Sequence, residues 1–171
     1  MTDTSLHQEL EAVLDLPDFD RFERLWNLLI RVGLSEFEPE EGKRAFALLK
    51  RLSGSAMHRI LNNSAVEELI ELNPPLETVL AAPHERLRSL RAQRALDKLR
   101  RCRTERPAEA LHALATLLKL IRDKRIHGFK TPHGPRDNQI LRPASGVLRA
   151  IVEEVLEEST SRTPRVNESS V

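Results

Sequence analysis

Tyrosine is absent from this 171-residue chain, tryptophan and cysteine occur once each, and aromatic residues make up only 4% of it. The missing tyrosine belongs to a wider poverty of strand signals, with no alternating β-branched run and no hairpin dipeptide, so no sheet is expected. A single cysteine, Cys102, excludes an internal disulfide framework and a multi-cysteine zinc site. It stands between Arg101 and Arg103 with no histidine near in sequence to activate it, and we read it as an ordinary helix residue. No apolar run reaches the length of a bilayer span, and Met1-Thr2-Asp3-Thr4 has neither the basic start nor the apolar middle of a secretory signal. A cytoplasmic protein with no membrane partner is the expectation.

What is present is a charged, helix-forming chain of a size suited to one domain, with 40% hydrophobic and 31% charged residues. The formal net charge of +1 conceals an asymmetry. Acids crowd Glu36 to Glu41, Glu67, Glu68 and Glu71, and again Glu153, Glu154, Glu157 and Glu158, whereas cations dominate from Arg86 to Arg149. A basic region inside a nearly neutral chain points to an anionic partner.

Apolar residues recur at three- and four-residue steps throughout. Leu6, Leu10, Val13 and Leu14 mark a short first helix, interrupted by Pro17. Phe22, Leu25, Trp26, Leu29 and Ile30 mark a second, with Trp26 read as core packing. Ala45, Leu48, Leu49 and Leu52 define a third, broken by Ser53-Gly54-Ser55, and Ser64 to Glu67 has the capping-box pattern ahead of Leu69 and Ile70. A long basic helix carries Leu87, Leu90, Leu96 and Leu99, its arginines read first as a solvated face. Pro107 opens a helix that buries Leu111, Leu114, Leu117, Leu118 and Ile121; after a loop from Gly128 to Asn138, a last helix starts or bends at Pro143. The expected architecture is all-α, a bundle of about five or six helices. It divides into a short N-terminal arm over 1–17, the helical domain over 18–158 and a flexible tail over 159–171.

The chemistry-bearing stretch is Leu120 to Lys130, where an apolar helix runs into Arg122-Asp123-Lys124-Arg125-Ile126-His127-Gly128. Spacing alone proves little: with six histidines and abundant arginine, chance gives roughly two arginines separated from a histidine by four to six intervening residues. Three occur, the others being Arg51 with His58 and Arg106 with His112. Only Arg122 and His127 combine a polar residue after the arginine, a glycine after the histidine, and further cations at Lys119, Lys124, Arg125 and Lys130. In a continuous helix the two would point about 140° apart, so they share a substrate only if the helix loosens near Ile126 or a second copy completes the site. His127, His133 and Asp137 match no metal-ligand spacing, and no metal or cofactor is expected.

Ile121 to Gly128 resembles the signature of HEPN domains, small all-α modules in which an arginine and a polar residue precede a histidine and often a glycine. Phe22-Glu23-Arg24-Leu25-Trp26 is similar to the aromatic-Leu-Trp helix near the start of many such domains, and Arg136 to Leu141 followed by an amphipathic helix also fits. Asp123 stands where asparagine is common, and the asparagine and tyrosine that often follow the tryptophan are missing. The resemblance implies a HEPN-like fold, a homodimer whose sites meet at its interface, and metal-independent RNA cleavage. Arg122 and His127 would be the catalytic pair, with Asp123 orienting one of them or satisfying a helix end. Lys119, Lys124, Arg125, Lys130 and Arg136 would contact RNA phosphates without reading sequence, since few aromatics remain to stack bases. A nucleotidyltransferase-type antitoxin partner in a toxin or defence setting would also fit the resemblance. The competing expectation is a non-catalytic module of the same fold that binds RNA, a nucleotide or a protein, or an arginine that only caps its helix.

Overall fold

The second helix sets the pattern of the fold. In the computed structural model, which describes residues 3–32, 46–72, 75, 86–126 and 135–162, the expected face Phe22, Leu25, Trp26, Leu29 and Ile30 is buried, joined by Leu28. This helix, α2 (Asp18–Val32), follows α1 (Asp3–Val13) across a turn in which Arg21 donates to the Leu16 carbonyl at 2.8 Å and to Asp18 at 3.2 Å. Asp18 and Asp20 lie in its first turn, where carboxylates complement the helix dipole. The N-terminal segment forms the expected short helix, and it packs on the rest. Leu10 and Val13 belong to the common core, and Glu9 is bound by Arg31 in the last turn of α2.

A helical turn at 46–49 leads into two short helices, α3 (Gly54–Leu61) and α4 (Ser64–Ile70). Ser53-Gly54-Ser55 therefore starts a helix as well as ending one. The Ser53 hydroxyl accepts from the Ala56 amide at 3.2 Å, satisfying one of the donors a helix start leaves open. Likewise α4 is capped by Asn63, whose side chain accepts from Ala65 N at 2.9 Å, and not by Ser64. These short caps are why the described residues alone hold more helices than five or six.

Next come α5 (Arg86–Cys102), α6 (Pro107–Ile126) and α7 (Pro135–Arg162). The four-residue link between α5 and α6 makes them an antiparallel pair, with Pro107 in the first helical position, where its missing N–H costs nothing. Leu90, expected on the apolar face of α5, is 40% exposed; Ala92, Ala95, Leu96, Leu99 and Cys102 form that face instead. The last helix begins at Pro135, earlier than the expected loop allows, and runs continuously through the buried Pro143. It also passes the expected end at 158: Ser159, Thr160 and Ser161 each donate a hydroxyl to the carbonyl four residues back. Residues 163–171 lie outside the described residues.

Among the described residues every regular element is helical, and no helix is long and apolar enough to cross a membrane. Between them, α6 and α7 supply about half of the core, with α5 and α3 packed on α6, and α2, α4, α3 and α1 on α7. Buried positions cover nearly the whole circumference of α6, leaving a narrow stripe of His112, Thr116, Lys119 and Asp123. The acidic end of α7 is committed internally. Glu154, only 9% exposed, takes Arg59 of α3 in a two-pronged pair at 2.6 Å and 2.6 Å, and Glu158 accepts from Ser53 N at 2.8 Å.

Where α4 crosses α7 the packing depends on Gly146, because a Cβ there would lie 2.7 Å from the Ala65 Cβ. Gly146→Ala should lower unfolding stability by about 1–3 kcal/mol in urea titrations. Adding Ala65→Gly should recover part of that loss, whereas Gly54→Ala, with nothing within 4 Å, should cost nothing.

Candidate functional site

Helix α6 carries its polar residues only where the core releases it, on the stripe and in its last turns. Arg122 is half-buried there, and its guanidinium carbon sits 5.3 Å from the centroid of the Trp26 ring on α2. A guanidinium over an indole face is attracted by the ring quadrupole, and it gives up water more readily than an ammonium would. Trp26 is therefore both core residue and platform. The sequence points to the tryptophan as packing and to the arginine as chemistry; it does not join them, although both belong to the stretches that resemble one family.

One residue further on, Asp123 Oδ2 receives Lys119 Nζ at 2.6 Å across one helical turn. Both residues are half-buried. The expected orienting carboxylate and one of the expected phosphate-binding cations thus neutralise one another, and the four-residue spacing was the available signal. Lys124 and Arg125 continue the backbone of α6, and Arg136 lies in the first turn of α7. His127 and Lys130 lie outside the described residues, as does His133. The structure thus brings together Arg122, Asp123 and Lys119, with Trp26 added.

The other two arginine-histidine pairs have different surroundings. Arg51 and His58 are exposed on either side of the Ser53 cap. Arg106 binds Glu109 at 3.2 Å, while the His112 ring lies 4.8 Å from that of Phe46, tilted by 41°. Partial burial pushes the His112 pKa down, assisted by the positive charges of Lys98, Lys50 and Arg91. Much of the basic character of α5 proves to be structural. Arg103 donates to the Leu61 carbonyl at 2.8 Å and pairs with Glu67, and Arg100 donates to the Ile70 carbonyl at 3.2 Å, so these two close the open ends of α3 and α4. Among the described residues no three His, Cys, Asp or Glu side chains gather as a metal site would require.

Two measurements follow. In a double-mutant cycle of Arg122→Met and Trp26→Phe, the coupling energy should be about 0.5–2 kcal/mol. Because the folded state disfavours protonated His112, its contribution to stability is complete above the ordinary value of 6.5 and is lost as pH falls through the lower folded value. His112→Gln should therefore flatten the decline of the unfolding midpoint between neutral and mildly acidic pH. Comparison with known proteins adds no relative: no family model, curated protein or solved structure matches this chain.

Proposed function

We propose that the protein is a metal-independent endoribonuclease of HEPN-like fold, with its active edge where α6 ends. The contact between Arg122 and Trp26 is the observation that supports this reading. The two stretches that separately carry the resemblance are distant in sequence and meet through those side chains.

In the proposed reaction the ribose 2′-oxygen attacks phosphorus while the bond from phosphorus to the 5′-oxygen breaks, giving a 2′,3′-cyclic phosphate and a 5′-hydroxyl. One His127 takes the proton of the 2′-hydroxyl, and a second, from another copy of the chain, gives a proton to the departing oxygen. Arginine cannot supply that proton; Arg122 instead offsets the charge that builds on the non-bridging oxygens. Lys124, Arg125, Lys130 and Arg136 hold neighbouring phosphates, which makes binding fall steeply with salt. A homodimer, and an antitoxin of nucleotidyltransferase type as partner, belong to the same proposal.

A second reading is favoured by the half-burial of Arg122 and by the Lys119–Asp123 pair: a non-catalytic module that binds RNA through the same basic end. The test is cleavage of single-stranded RNA in EDTA. The nuclease should leave 2′,3′-cyclic ends, and His127→Ala should lower the rate by at least about a hundredfold with an unchanged thermal midpoint. Arg122→Lys, which keeps the charge over Trp26, should still lose most of the activity because the fork is gone. RNA bound but never cut, with His127→Ala equal to wild type, would establish the binding module instead.

A further inference from the structure

A second cationic surface lies at the opposite end of the exposed stripe of α6. Because α5 and α6 run antiparallel, the ion pair between Lys98 and Glu109 at 3.0 Å fixes their register. Counting back from Lys98 along α5 and forward from Glu109 along α6 sets Arg91, two turns before Lys98, near the level of Thr116, with His112 between the two cations. The same flank is closed by the helical turn at 46–49, whose Phe46 touches the His112 ring and whose following residue is Lys50. Three segments thus converge on one imidazole.

The charges here are poorly balanced. Glu109 is shared by Lys98 and Arg106, and its carboxyl is held below the usual range chiefly by the hydrogen bond from Lys98. Lys50 and Arg91 are exposed and have no carboxylate partner among the described residues. This separates them from Arg100 and Arg103 on the other flank of α5, which are tied to carbonyls of the short helices. Glu109 offsets Lys98 and Arg106 but leaves the charges of Lys50 and Arg91 uncompensated among the described residues, and an anion placed beside them lowers their mutual repulsion.

We propose that Lys50, Arg91 and His112, beside the Lys98–Glu109 pair that sets their register, form a phosphate-binding subsite for single-stranded RNA. From His112 to Asp123 the stripe runs about 16 Å along α6, so an extended strand held here continues towards Arg122. The subsite deepens the RNA reading above and rests on it for the identity of the anion, but it requires no cleavage. A bound phosphate favours protonated His112, so the imidazole adds a donor on binding.

The experiment measures binding of a labelled single-stranded RNA to the full-length protein in EDTA, by fluorescence anisotropy over a range of salt, in the His127→Ala background so that the probe stays intact. Lys50→Ala/Arg91→Ala should weaken binding roughly tenfold and reduce the salt slope by about 1.4, at about 0.7 for each phosphate no longer neutralised. The control Arg94→Ala/Arg101→Ala removes the same charge from the outward side of α5 and should change affinity less than threefold. Equal losses in both pairs, no loss in the first, or no RNA binding by the parent protein overturns the subsite. If binding depends on Lys50 and Arg91 while the protein with His127 intact cuts no RNA, the subsite stands and the nuclease reading falls.

Discussion

Burial of α6 and α7 on nearly every side is the constraint on which the rest depends. A helix surrounded by partners can carry charge only at its ends or along whatever strip its neighbours leave open. On α6 that strip is His112, Thr116, Lys119 and Asp123, and the helix end adds Arg122. Among the described side chains, the candidates for chemistry on this helix therefore lie on that strip or at its end beside Trp26. On α7 the same enclosure forces Glu154 to meet a guanidinium, because a nearly buried carboxylate without one would be costly.

The charge asymmetry takes on a different meaning once partners are assigned. Acids near the end of α7 hold α3, and arginines near the end of α5 hold the carbonyl ends of α3 and α4. Short helices bring many open backbone groups for few internal hydrogen bonds, and long flexible cations from a neighbouring helix are a direct way to satisfy them. Arginines that read in sequence as a solvated face are thus partly a set of clamps. What is left over, Lys50 and Arg91 beside His112 and the cationic sequence at the end of α6, is smaller and more localised.

Trp26 illustrates how core packing and contact with a cation coincide. Its indole is almost wholly enclosed, yet one face is offered to Arg122. The contact holds the guanidinium against the ring and takes its Nε out of solvent between α2 and α6. A guanidinium fixed against a ring has already lost part of its side-chain freedom on folding.

Periodicity by itself determined that the described chain is helical and picked out one buried stripe on each of α2 and α6, because a three- and four-residue repeat of apolar residues has one low-energy solution in water. That Leu28, Ala110, Ala113, Ala115 and Leu120 are also inside came only from the helices packed around them. Local composition alone isolated Arg122 from the two other arginine-histidine pairs. Neither determined the starts of α3 and α7, where single caps and prolines decide, nor that Leu90 faces outward. Only the tertiary structure decided that Arg122 meets Trp26, that Lys119 and Asp123 consume one another's charge, and that Lys50, Arg91 and Lys98 surround His112. The reason is physical: side-chain spacing along one helix is local, whereas the partner across a helix interface is set by the register and crossing of elements far apart in the chain.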